Sequence, residues 1–316
     1  MAAEAFLALD FGGTKLAVGV LSRGQERWLA RGRCPTPASE GAAAVFARIL
    51  QLADEQLARA RAQPVAVGVS FDGPVDLPRR RPLRSHHVAG WEDFALCERL
   101  QAHYGVPVAL ENDANAAAWG EWLRGAGRGC RQMLYVTVST GIGGGLVLEG
   151  QLYHGAQGLA GEIGHMVFQP DGPLCSCGRR GCLEALAAGP ALLRRYREFL
   201  LAQGEGVEGG SSISSARELS AAAQAGDPLA RQALQEGAQA LGRALGSVLN
   251  LLNLERIVLG GGVLGAGEPY LRWVRQAARA VAFAEMTVEI VPAALGEAAP
   301  LWGAALLAAE LVERYP

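Results

Sequence analysis

Three cysteines and a histidine have the plainest chemistry in this sequence. His165 stands ten positions ahead of Cys175, Cys177 follows two later, and Cys182 five after that. Three thiolates and one imidazole make a closed tetrahedral donor set, the usual arrangement of a structural zinc ion. A CxCx4C spacing in a chain with six cysteines argues against chance, the other uses of such a segment being a reduced cysteine cluster or a redox pair. Gly178 and Gly181 supply the turn that returns Cys182 to the cluster. With every coordination position filled by protein, the ion organises a loop and does no chemistry. Glu162 and Glu184 flank the ligands, so the folded knuckle is expected to bring both carboxylates together. Rigid paired acceptors suit the vicinal hydroxyls of a sugar; surface salt bridging is the plainer use. The second nitrogen of His165 serves the same sugar or a neighbouring carboxylate.

A second group of residues suits phosphate. Asp10-Phe11-Gly12-Gly13-Thr14-Lys15 joins two apolar runs, and Ser139-Thr140-Gly141 joins two more about 130 residues later. Both read as β-hairpins with polar, glycine-bearing tips. Bare backbone N–H groups at Gly12, Gly13 and Gly141 approach an anion closely, and the hydroxyls of Thr14 and Thr140 add donors. Asp10, at a strand end, is placed to hold the magnesium ion that accompanies a nucleotide, or to cap its turn; Lys15 faces phosphate or is an edge charge. Asn112-Asp113 lies between a strand end and a helix start, where aspartate is a good N-cap. A carboxylate there stays ionised next to the helix dipole and is able to take a proton from an alcohol attacking phosphorus. Gly260-Gly261-Gly262 closes a strand and opens a helix, which permits close approach of a base or phosphate.

The elements that must carry these residues follow from periodicity. Strands are expected over residues 5–9, 15–21 and 25–33, then a helix over 42–62 capped by Ser39 and ended by Pro64. A buried strand at 65–69, a helix at 94–104, a strand at 106–110 and a helix at 114–123 complete a first round. The second round has strands at 133–138 and 144–148, an irregular insertion at 151–184 and helices at 190–201, 216–225 and 228–252. A Gly/Ser-rich flexible loop is expected over 203–215, and strands at 256–259 and 288–291 alternate with helices at 269–283 and 298–311. Such repetition implies a duplicated α/β fold on mixed sheets, with a ligand cleft between the halves.

The bulk numbers limit the function. At 316 residues, half of them hydrophobic, the chain suits two domains with sizeable cores. Its 29 basic and 31 acidic residues leave no positive field for nucleic acid. No run of 18 apolar residues suggests a membrane span, and the first residues lack the basic segment of a signal peptide. Six sparse cysteines suit a reducing, cytoplasmic setting. Lys15 is the only lysine, all other basic residues being arginine.

In order along the chain, LDFGGTK, ENDANAAAWGE, VTVSTGIGGG, GEIGH, CSCGRRGCLE and LGGGV resemble the motifs of the ROK family (repressors, open reading frames and kinases). That family belongs to the actin-like, hexokinase-like ATPase superfamily. The resemblance implies two actin-like, ribonuclease H-like domains, residues 1–114 plus 298–316 and residues 115–297, with an interdomain cleft and a zinc-knuckle insertion. It implies phosphoryl transfer from ATP with Mg2+ to the 6-hydroxyl of a hexose, glucose above all. N-acetylmannosamine, N-acetylglucosamine and fructose are the alternative substrates. By motif, Asp113 is the catalytic base, and Gly73, Asn112, Asp113, Glu162, His165 and Glu184 contact the sugar. Asp10, Gly12, Gly13, Thr14, Lys15, Thr140 and Gly141 hold phosphates; Gly260, Gly261 and Gly262 lie on the adenosine side. His165 with Cys175, Cys177 and Cys182 binds Zn2+, and a homodimer or homotetramer is implied. Repressors of the family carry a DNA-binding domain before the first phosphate loop; only nine residues precede Asp10, so a regulator is not expected. Two stretches depart from the pattern. Many relatives show PGxV where this chain has Phe71-Asp72-Gly73-Pro74-Val75, and an asparagine before the GW pair where it has Ser85-His86-His87-Val88-Ala89.

Overall fold

The computed structural model of the chain describes residues 2–24, 27–85, 87–204 and 213–314. Gln25, at the start of the third expected strand, His86 and most of the loop expected over 203–215 lie outside the described residues. In chain order the elements are β1 (Ala3–Phe11), β2 (Lys15–Ser22), β3 (Trp28–Pro35), α1 (Gly41–Ala60), β4 (Ala62–Phe71), β5 (Val75–Asp76), β6 (Arg81–Pro82), α2 (Leu96–Tyr104), β7 (Val108–Asn112) and α3 (Asp113–Arg124). They continue as β8 (Met133–Val138), β9 (Ile142–Leu148), β10 (Gln151–Leu152), α4 (Leu183–Ala187), α5 (Gly189–Ala202), α6 (Ala216–Gln224), α7 (Pro228–Leu252), β11 (Arg256–Gly260), α8 (Glu268–Arg279), β12 (Glu289–Pro292) and α9 (Ala299–Arg314).

Two compact units result. The first comprises Met1–Gly125, Leu152–Ala160 and Glu297–Pro316; the second comprises Ala126–Gln151 and Gly161–Gly296. The first unit's sheet runs β3-β2-β1-β4-β7 and the second's β10-β9-β8-β11-β12. In the first, β1, β2 and β3 form an antiparallel meander while β1, β4 and β7 are parallel. In the second, β8 and β9 are antiparallel while β8, β11 and β12 are parallel. One strand order is thus built twice, as the repeated pattern of the sequence implies.

Both faces of the first sheet are buried, as expected of parallel strands covered by helices. Leu7, Leu9 and Phe11 face Val45, Ile49 and Leu52 of α1, whereas Phe6 and Ala8 face Leu301, Ala304 and Ala308 of α9. Each fully buried aliphatic side chain contributes about 1.5–3 kcal/mol against leaving it in water. Helix α9 lies close because two glycines let it: a Cβ on Gly68 would fall 1.7 Å from the Ala304 carbonyl oxygen, and one on Gly303 1.7 Å from that of Ala116 on α3.

Several boundaries differ from expectation. Ser39 makes no cap; a 3₁₀ turn at Ala38–Glu40 leads into α1 instead. The helix ends at Arg61, which takes a left-handed conformation (φ 51°), three residues before Pro64. Pro64 lies inside β4, opposite Ala5, next to an irregularity in the β1–β4 register that accommodates its missing N–H. The short pairs β5–β6 and β10 have too few residues to show a period.

Candidate active site

In the first unit, register brings the carboxyl ends of β1, β4 and β7 level. Asp10 pairs with Ser70, and Phe71 with both Phe11 and Asn112. Ligands of open α/β sheets bind beyond such strand ends. Asp10 is buried and accepts a 2.8 Å hydrogen bond from Ser70 Oγ. Desolvation outweighs that bond and the nearby Lys15 charge, pushing the Asp10 carboxyl up to about 6. A cation would reverse that cost. Gly12, Gly13, Thr14 and Lys15 form the tip of the β1–β2 hairpin, where Thr36 Oγ1 donates to the Gly12 carbonyl at 2.7 Å. Lys15 Nζ lies 3.1 Å from Glu297. That exposed pair is worth about 0–1 kcal/mol, too little to keep the lysine from an incoming phosphate.

Asn112, and not Asp113, caps α3. Its Oδ1 accepts from the N–H groups of Ala114 (3.0 Å) and Asn115 (3.2 Å). Its Nδ2 donates to the Gly73 carbonyl at 3.1 Å and to Asp113 Oδ1 at 3.0 Å. Asp113 Oδ1 also accepts from Ala114 N at 2.8 Å. The carboxylate is thus released from capping and aimed by its neighbour. Its expected ionised state is overridden: burial first, then the charges of Asp72 and Asp10, raise it to about 8. A proton-accepting carboxylate works best when its pKa approaches the operating pH. Gly73 has φ +142° and no room for a Cβ, which would meet the Arg84 carbonyl at 2.3 Å.

In the second unit, Ser139, Thr140 and Gly141 form the tip of the β8–β9 hairpin, closed by Ser139 N–H donating to the Gly141 carbonyl at 2.9 Å. Glu184, at the start of α4, reaches this tip. Its Oε2 accepts from Ile142 N–H at 3.1 Å and leaves no space for a side chain at 141. Gly260 and Gly261 are required by packing: a Cβ on the first would touch the Tyr135 hydroxyl and on the second the Val138 carbonyl, 2.4 and 2.3 Å away. Gly262 opens a 3₁₀ turn to Ala266, with only Ser139 Oγ near its Cβ position.

The knuckle follows the spacing. The ligand atoms of His165, Cys175, Cys177 and Cys182 all lie within 4.8 Å of one another. His165 Nδ1 is 3.6 Å from Cys175 Sγ, and Cys177 Sγ is 3.6 Å from Cys182 Sγ. Tetrahedral zinc with Zn–S bonds of about 2.3 Å has edges of about 3.8 Å, so the four side chains fit that ion. The backbone N–H of Arg179 and then its side chain hold the Cys177 thiol down at about 6, favouring the thiolate a metal needs. Gly178 and Gly181 take φ +85° and +70°, the left-handed turns expected of them. Glu162 and Glu184 do not join as a directly bonded pair. Glu162 Oε2 sits 3.9 Å from His165 Nε2, while Glu184 Oε1 accepts from Ser176 Oγ at 2.9 Å.

The ROK family model matches residues 6–311. The chain belongs to the ROK family. A ROK hexokinase structure from Thermus thermophilus is 39% identical with a TM-score of 0.83, covering 98% of this chain and 99% of that one. A ROK glucokinase from Streptomyces griseus, in complex with glucose and AMPPNP, is 33% identical with a TM-score of 0.83, covering 97% and 99%. An N-acetylmannosamine kinase from Salmonella typhi is 35% identical over 96% of this chain and 97% of its own length. As a ROK protein the chain has the two-domain, actin-like α/β fold of these structures. No helix among the described residues is long and apolar enough to cross a membrane.

Two histidine–carboxylate contacts bring in His154 and His87, which lie outside the motifs. His154 Nε2 lies 2.7 Å from buried Glu111, whose other oxygen accepts from Asn112 N–H and Asn115 Nδ2. His87 Nδ1 lies 2.7 Å from Asp72 Oδ2. Only the second left a trace in the sequence, as a departure at both positions.

Proposed function

We propose that the protein is an ATP-dependent kinase acting on the 6-hydroxyl of a hexose, most specifically glucose. The observation that carries this reading is the Asp113 carboxylate, half-buried at the first turn of α3 and held through one oxygen by Asn112 and Ala114. Asp113 takes the proton of the 6-hydroxyl as its oxygen attacks the γ-phosphorus; the bond to the β-γ bridging oxygen breaks and ADP leaves. Gly73 and Asn112 bind the sugar beside it, and Glu162, His165 and Glu184 are the sugar-facing residues of the second unit. Backbone N–H groups of the Gly12–Gly13 and Thr140–Gly141 tips, with Thr14 and Lys15, take phosphate oxygens, and Gly260, Gly261 and Gly262 border the adenosine. Asp10 would hold Mg2+, which would offset charge on the transferred group. His165, Cys175, Cys177 and Cys182, whose ligand atoms converge, would hold a structural Zn2+. A cytoplasmic setting is supported by six sparse cysteines with none paired in a disulfide.

The Streptomyces griseus relative's complex with glucose and an ATP analogue supports glucose; the likeness to the Salmonella typhi enzyme supports N-acetylmannosamine as the second reading. A coupled ADP-release assay with glucose, mannose, fructose, N-acetylmannosamine and N-acetylglucosamine decides between them. Glucose should give the highest kcat/KM. A preference for an N-acylated sugar would replace this reading with the second, and no release with any sugar would end both.

A further inference from the structure

The two stretches that depart from the family pattern meet in space. Asp72 and His87 are fifteen residues apart and in contact at 2.7 Å. Both are firmly seated. Asp72 N–H donates to the Phe11 carbonyl at 3.0 Å. Ser85 Oγ accepts from the N–H groups of His87 (3.1 Å) and Val88 (3.2 Å). The loop is pinned further on by buried Trp91, edge-on to Phe11 and Phe71. The pair lies directly over the first hairpin tip. A Cβ on Gly13 would come within 2.4 Å of the His87 ring and 2.5 Å of Asp72 Oδ2. It also stands next to the base of the proposed reaction. Phe71 pairs with Asn112 across parallel strands, so Asp72 and Asp113 each sit one residue beyond that pairing.

We propose that Asp72 and His87 form a positioning pair that sets the charge of Asp113 and fixes the Gly13 turn beneath it. The proposal rests on the kinase reading for the role of Asp113. An ionised Asp72 repels charge on Asp113; the His87 ring nitrogen held 2.7 Å from Asp72 Oδ2 competes for that carboxylate and weakens the repulsion. The charged groups acting on Asp113 are Asp72 and Asp10, both opposing its ionisation, while Lys15 acts on Asp10. His87 therefore acts on Asp72, the one of these two carboxylates it touches.

The test compares Asp72→Asn, His87→Asn and the double variant with wild type in full-length protein. Sugar kcat/KM is followed from pH 5 to 9 at saturating MgATP. In parallel, protein labelled with 13C at aspartate carboxyls is titrated without substrates, the Asp113 signal being assigned by its loss in Asp113→Asn. Asp72→Asn should move the acid-side midpoint down and His87→Asn should move it up, each by about half a unit to one unit at this partly solvated site. The double variant should return towards wild type, because the repelling carboxylate and the group that restrains it are removed together. Midpoints that stay put, or that move in the same direction in both single variants, would overturn the proposal. Carboxyl titrations that shift as expected while no sugar releases ADP would uphold the pair and refute the kinase reading instead. Should Asp72→Asn fail to fold, the upward shift in His87→Asn alone decides.

Discussion

His154 Nε2 donates to Glu111 Oε2 across 2.7 Å, and through that contact a residue far along the chain supports the β7–α3 junction where Asp113 lies. Glu111 is almost fully buried; its second oxygen receives Asn112 N–H and Asn115 Nδ2. Hydrogen bonding to Glu111 raises the His154 pKa above 6.5 despite partial burial. A histidine raised on folding stabilises fully below its unfolded pKa, and the benefit is lost as pH climbs through the folded value. His154→Ala should therefore lower Tm by about 2–6 °C near pH 6, since it strands a buried carboxylate, with a smaller deficit at pH 9. Calorimetry at the two pH values checks this; equal deficits would show that charge is not involved.

Asp113 titrates in the same sense for stability. Its pKa is raised from 3.8 to about 8, so the unfolded chain ionises first and stability declines with rising pH between those values. Asp113→Asn removes that decline. The variant should match wild type in Tm at pH 4 and exceed it at pH 8, while kcat falls by about 10²- to 10⁴-fold for loss of a general base. Sugar binding, followed by tryptophan fluorescence, should change little. Wild-type turnover in the variant would remove Asp113 from the mechanism.

The knuckle should contain one zinc per chain by elemental analysis. Cys177→Ser, which removes one of the four convergent ligand atoms, should lower metal content, Tm and sugar affinity together. Retention of all three would mean that the cluster is only a set of packed thiols.

Gly303→Ala tests the close passage of α9. The added methyl would lie 1.7 Å from the Ala116 carbonyl, so the helices must separate. Overpacking of this kind costs about 1–3 kcal/mol. A lower Tm is expected, whereas Gly265→Ala, with open space around its Cβ position, is the control that should leave Tm within a degree or two.

These residues also show what the sequence could and could not reveal. Met133–Val138 and Pro228–Leu252 begin and end where periodicity places them, because each has a long apolar pattern bounded by strong breakers. The knuckle was legible since its four ligands fall within eighteen residues and their spacing is itself the signal. Ser39 misled because capping depends on the entry angle of the chain, which here is set by a preceding 3₁₀ turn. Asp113 looked like the cap since either member of Asn112-Asp113 can cap equally well; only backbone dihedrals separate them. The Asp10–Ser70, Glu111–His154 and Asp72–His87 contacts join residues fifteen to sixty positions apart, and no local pattern encodes a pairing that strand register creates.

Helix α9 holds one face of the β1–β4 sheet through Leu301, Ala304 and Ala308, yet it is made after every other element. During synthesis Phe6 and Ala8 of the amino-terminal sheet therefore stay uncovered until α9 has been made. The second unit, whose segments are all complete by Gly296, is free to fold earlier. The unit whose chain is made first is thus the one completed last.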